Sequence, residues 1–99
     1  MYRTQKLFLQ DILNSIIKIE KYIKFMTLND FKNDEKIIDA VLRNLEIIGE
    51  AVKNLSNKIK KNYPEINWKA IAGMRDRLIH GYFGINIEIV WETITKKNS

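Results

Sequence analysis

A chain of 99 residues, 45% apolar and 29% charged, has the composition of one small folded domain (residues 1–99) and not of a disordered segment. Such a chain buries only about 60–70% of its unfolded surface, enough for a core but not for a deep internal pocket, so a site here is shallow or completed by a second chain. The absence of cysteine excludes disulfides, thiol nucleophiles and zinc–thiolate centres, and one histidine without a nearby carboxylate cluster argues against a metal site within a single chain.

No apolar run approaches the ~18–20 residues of a membrane span, and the opening MYRTQKLFLQDIL lacks a signal-peptide pattern, so a cytoplasmic protein with no membrane partner is expected. The net charge of +5 is unevenly placed. Residues 1–50 hold eight Lys/Arg against eight Asp/Glu, whereas residues 51–99 hold nine against four. A basic half favours polyanions, because neutralising phosphates releases counterions and steers encounter. Lysine-rich helices also serve plain solubility, so charge alone does not name nucleic acid.

The segment from Thr4 to Met26 carries Leu9, Ile12, Leu13, Ile16, Ile19 or Glu20, and Ile23. These steps of three and four predict an amphipathic helix with a wide apolar face. TLNDFKN (27–33) then breaks the pattern with turn-favouring residues, with Phe31 expected to fold back onto the core. Asn33 or Asp34 caps the next helix.

In that second helix Ile37, Val41, Leu45, Ile48, Val52, Leu55 and Ile59 form one stripe, and Ile38, Leu42 and Ala51 with Gly49 form a second beside it. Two apolar stripes on one helix predict two packed neighbours, or one domain plus a partner chain. Gly49 costs about 1 kcal/mol of helix propensity against alanine. Close approach of another backbone, as in a dimer, and a tolerated glycine are both open readings.

KIKKNYPEINW (58–68) ends the helix: lysines suit a helix C-terminus, Pro64 stops continuation, and Asn67 caps a third helix from Trp68 to about His80. Its buried side is expected to hold Trp68, Ile71, Met74 or Arg75, and Leu78. GYFG (81–84) reads as a loop, and Asn86 caps a last helix with Ile89, Val90 and Ile94 inward. Four helices with short connections and no strand pattern predict an all-α, up-and-down four-helix bundle.

The chemistry-bearing residues gather in GMRDRLIHGYFG (73–84), around the lone His80. If the third helix continues through them, Arg75 and His80 lie ~140° apart around the axis. Asp76 and His80 share one face, and Arg75 and Tyr82 another. Bringing Arg75 to His80 needs a distorted terminus, which Gly81 permits, long side chains reaching across, or two copies meeting about a two-fold axis.

These residue types suit cleavage of an RNA phosphodiester without metal. That reaction takes a proton from the 2′-hydroxyl, gives one to the leaving 5′-oxygen, and places positive charge against the phosphorane. Histidine titrates near neutrality and serves as acid or base, and arginine offers a fork of donors matched to phosphate oxygens. Asp76 is a candidate to orient the imidazole and raise its pKa, and Arg77, on a different side, to hold flanking phosphates. As structure alone, the same residues are a histidine at a helix C-terminus and surface Arg–Asp pairs.

RDRLIHGY (75–82) reads Arg-x4-His-x-Tyr and resembles the motif of the HepT-like branch of the HEPN superfamily of helical ribonuclease toxins. LRNLEIIGEAVKNL (42–55), YPEINWKAIAGMRDRLIHGYFGINIEIVWETI (63–94) and the helix containing QDILNSI (10–16) are similar to that family too, in its order. The resemblance implies a HEPN-like helical bundle forming a homodimer, with the motif arginine and histidine lining a cleft at the dimer interface. It implies a metal-independent endoribonuclease toxin of a toxin–antitoxin pair, needing no cofactor and acting on tRNA or mRNA.

By position, Arg75 and His80 match the catalytic pair. Asp76 matches the polar residue that follows the arginine. Tyr82 matches the tyrosine that a partner nucleotidyltransferase antitoxin of the MntA type silences by AMPylation. The competing expectation is a non-catalytic helical subunit that binds nucleotide or RNA and partners the nucleotidyltransferase. A purely structural helical dimer is the third.

Overall fold

The computed structural model describes residues 4–79 and 86–95, and all its regular structure is helical. The elements are α1 (Gln5–Ile23), α2 (Leu28–Lys32), α3 (Glu35–Lys53), α4 (Asn57–Asn62), α5 (Trp68–Ile79) and α6 (Ile87–Thr95). The four expected helices are α1, α3, α5 and α6, and the connections add two short ones. Among the described residues no helix is long and apolar enough to cross a membrane.

Each start carries a side chain that satisfies a backbone N–H left open by helix geometry. The Thr4 hydroxyl accepts from Leu7 N, the Asp34 carboxylate from Ile37 N, the Ser56 hydroxyl from Ile59 N and the Asn67 amide oxygen from Ala70 N. Asn86 accepts from both Glu88 N and Ile89 N. TLNDFKN is more than a turn: Thr27 and Asp30 form a reciprocal capping box that starts α2. α1 stops at Ile23, short of Met26, and Phe25 follows in the left-handed region with φ 69° and its ring 92% exposed.

α3 is the central helix, packed along one side by α1 and along the other by α5. Its two apolar stripes therefore meet two neighbours from the same chain. Val41, Leu45, Ile48 and Val52 form the spine of the core, with Ile19 from α1, Phe31 from α2 and Val90 from α6. Phe31 is fully buried, as expected, and stacks at a tilt on Trp91, ring centroids 5.2 Å apart. This contact and the Lys32–Glu88 pair at 3.2 Å tie α2 to α6.

Three expectations are corrected. The stripe through Leu55 and Ile59 does not stay in one helix: α3 ends at Lys53, Asn54 caps it, and α4 begins at Asn57. The break is held from a distance by Gln5, whose amide donates to Asn54 O at 3.2 Å and accepts from Ser56 N at 2.7 Å. On α1, Ile12, Ile19 and Ile23 join the core, but Leu9, Leu13 and Ile16, with Ile17, remain 42–56% exposed. At about 100° per residue these four occupy the far flank of the apolar arc, beyond the reach of α3. On α6, Ile89 is 59% exposed, because Ile87, Val90, Trp91 and Ile94 occupy the opposite, inward side.

The corner before α5 is closed by Trp68. Its indole N–H is shared between the carbonyls of Lys60 and Tyr63, each at 3.2 Å, so the end of α4 and the start of α5 are held by one side chain.

Candidate functional site

Leu78, Met74, Ile71 and Trp68 turn the apolar side of α5 toward the core, and Arg75 rides on the edge of that side, facing α3. The approach is close because α3 presents Gly49 there. A Cβ on Gly49 would overlap the Cβ of Arg75 and lie 2.8 Å from its Cγ and 3.2 Å from its Cα. The close approach that a helix-interior glycine permits is thus made by α5 of the same chain.

From that point the Arg75 side chain enters a charge network. Its Nη2 pairs with Glu50 Oε2 at 2.7 Å and its Nη1 with Asp76 Oδ1 at 3.1 Å. Lys53 Nζ donates to the same Asp76 oxygen at 3.0 Å. The guanidinium side chain is 23% exposed, and its Nε is buried without a partner among the described residues. Lys53 first, and then Arg75, hydrogen-bond the Asp76 carboxylate and hold its pKa below the ordinary aspartate value. Asp76 therefore faces α3.

Arg75 and Glu50 border a cleft of about 430 Å³ between α1, α3 and α5, with Asp11, Arg43 and Glu46 also on its walls. Arg43 and Glu46 pair at 3.5 Å along α3. Arg77 lies elsewhere on α5. It is exposed and borders a shallower groove of about 340 Å³ with Asn67, Lys69, Ala70 and Gly73. The two arginines of the motif segment thus serve different surfaces, in keeping with the separation expected from their spacing. Among the described residues no three His, Asp or Glu side chains stand together in a way that could hold a metal ion.

His80, Gly81 and Tyr82 lie outside the described residues. The expected Asp76–His80 and Arg75–Tyr82 faces fall there in part. The structure brings together Arg75, Asp76, Glu50 and Lys53. The last two were missed by sequence reasoning, although both stand in LRNLEIIGEAVKNL, whose four charges at 43, 46, 50 and 53 follow helical spacing. Only the register of α3 against α5 makes them neighbours of Arg75.

A family model described as "Ribonuclease HepT-like" matches residues 12–99. Among curated proteins, the chain is 46% identical to "Probable ribonuclease HepT" of Thermococcus cleftensis, covering 95% of this chain and 86% of that one. It is 48% identical to "Putative RNase MJ0127" of Methanocaldococcus jannaschii over 91% of this chain and 74% of that one. It is 44% identical to "Putative RNase TTE0752" of Caldanaerobacter subterraneus subsp. tengcongensis over 96% and 85%. No solved structure matches the chain.

Proposed function

The chain belongs to the HepT-like ribonuclease family, and from that premise we propose that it is a metal-independent endoribonuclease using Arg75 and His80. The observation that supports this most is the placement of Arg75. A cation that is three-quarters buried, carried on a helix stem held over Gly49 and bordering an open cleft, suits binding of a phosphate better than surface solubility.

In the reaction, the ribose 2′-oxygen loses its proton and bonds to phosphorus. The bond from phosphorus to the 5′-oxygen breaks, and that oxygen takes up a proton. His80 supplies acid–base chemistry for these transfers, and Arg75 faces the oxygens on which negative charge accumulates. The products are a 2′,3′-cyclic phosphate and a 5′-hydroxyl. Arg77 and Lys69, on their own groove, hold flanking phosphates. Asp76 is a supporting residue, its carboxylate already engaged by Lys53 and Arg75.

The active form in this reading is a homodimer. The exposed Leu9, Leu13, Ile16 and Ile17 stripe on α1 supports it, since an apolar helix flank of this kind is a common mark of a protein interface. The substrate is tRNA or mRNA, and the protein is the toxin of a toxin–antitoxin pair. Its nucleotidyltransferase antitoxin transfers AMP from ATP to the Tyr82 hydroxyl with release of pyrophosphate. An added adenylate brings bulk and negative charge to a phosphate-binding cleft and excludes RNA.

The test is cleavage of total tRNA by the purified, unmodified protein in EDTA. Arg75→Ala is expected to lower the rate by about 10²–10³-fold and His80→Ala by about 10²–10⁴-fold, each with an unchanged helical spectrum. Parent-level cleavage by either variant removes that residue from the site. RNA binding without cleavage by the unmodified parent favours the non-catalytic subunit instead.

A further inference from the structure

An arginine that stabilises a phosphorane must be in place before charge develops, yet its side chain carries about 2 kcal/mol of rotamer entropy. Here two carboxylates hold the guanidinium, and they are not equivalent. Asp76 is adjacent to Arg75 on α5 and moves with it, so their 3.1 Å contact sets the local shape of the pair but not its position in the protein. Glu50 belongs to α3, the central helix, and its 2.7 Å contact references the guanidinium to the core.

We propose that Glu50 is a positioning residue for Arg75, fixing the guanidinium against α3 so that the second N–H of each Nη faces the cleft. This rests on the reading of Arg75 as a residue of the ribonuclease site. The donor inventory fits. A guanidinium has five N–H groups; Asp76 accepts from one on Nη1 and Glu50 pairs with Nη2, which leaves N–H groups on the Nη atoms for phosphate oxygens. Gly49 completes the arrangement by letting the arginine stem lie flat on α3.

Glu50 is a poor candidate for a purely stabilising role. Its side chain is 54% exposed, and ion pairs with an exposed partner contribute little to folding. As a negative charge beside the cleft it also opposes RNA binding. Positioning therefore has an unusual signature: removing Glu50 slows the chemical step while leaving RNA affinity unchanged or improved.

The experiment compares the parent, Arg75→Ala, Glu50→Gln and Glu50→Ala in steady-state cleavage of total tRNA, with affinity measured on uncleavable 2′-O-methyl RNA. Glu50→Gln keeps the side-chain volume and a neutral acceptor, and is expected to lower kcat about three- to tenfold, since charge-assisted hydrogen bonds are about twice as strong as neutral ones. Glu50→Ala is expected to lower it about ten- to a hundredfold. KM and the dissociation constant are expected to stay equal or fall in both. The distinct 15N resonances of the Arg75 guanidinium, separate when its rotation is hindered, are expected to average in both variants.

Parent-level kcat in Glu50→Gln with Arg75→Ala inactive overturns the positioning role and leaves the ribonuclease reading standing. An inactive parent overturns the ribonuclease reading itself, and an Arg75→Ala variant that cuts like the parent removes Arg75 from the site and the positioning role of Glu50 with it. If Glu50→Ala does not fold, Glu50→Gln and its resonances decide.

Discussion

Gly49 of α3 and Arg75 of α5 touch where no side-chain carbon fits between them: Arg75 Cα stands 3.2 Å from the point a Gly49 Cβ would occupy. The two helices are locked at this point, and every other member of the charge network is arranged around it. Gly49→Ala gains about 1 kcal/mol of helix propensity but must push the stem of Arg75 aside, and overpacking of this kind costs about 1–3 kcal/mol. The expected net result is a lower melting temperature, together with weaker RNA cleavage because the guanidinium is displaced. Thermal melts of the alanine variant beside the parent check the first, and single-turnover cleavage checks the second.

Asp76 carries a pH signature. Lys53 and Arg75 lower its pKa in the folded chain, so its contribution to stability is fully present above the unfolded value, about pH 4, and is lost as pH falls through the lower folded value. The carboxyl 13C resonance of Asp76 is expected to titrate below the ordinary aspartate range. Lys53→Met removes the larger cause and is expected to move the midpoint upward. An unchanged midpoint in that variant removes Lys53 from the network.

Gln5 fastens the first turn of α1 to the break between α3 and α4 through Asn54 O and Ser56 N. Gln5→Ala leaves both backbone groups to solvent and is expected to cost about 1–2 kcal/mol. Hydrogen exchange at the Ser56 amide is expected to accelerate well beyond that of the Val52 amide in α3, which locates the loss at the break.

Tyr82 is testable by mass. In the proposed regulation, coexpression with an MntA-type nucleotidyltransferase is expected to add adenylate to the parent chain and none to Tyr82→Phe. Adenylate persisting on the phenylalanine variant places the modification on another residue.

The four longer helices were legible from the sequence through their apolar periods, and for several of them a cap marks the start as well. Asn67 before Trp68 and Asn86 before Ile87 announce α5 and α6 in this way, and both caps are present. The break after Lys53 was not legible, because Leu55 and Ile59 continue the three–four period across it. What enforces it is Gln5, about fifty positions away, which no local window contains. The same limit applies to the site. Arg75 and Asp76 could be selected by residue type and spacing, whereas Glu50 and Lys53 join them only through the register of one helix on another. Likewise the arc of α1 was visible as apolar, but the share of it that α3 covers depends on helix packing.

The chain's two tryptophans stand in different parts of this architecture, and each is an optical probe of its own region. Trp91 emits from beside Phe31 in the core, so its fluorescence follows global unfolding. Trp68 emits from the α4–α5 corner, with its indole N–H held by two carbonyls, and a red shift from it registers the opening of that corner alone. A Trp91→Phe chain thus keeps a single tryptophan, at the first residue of the motif helix, able to time the loosening of α5 while the core stays closed.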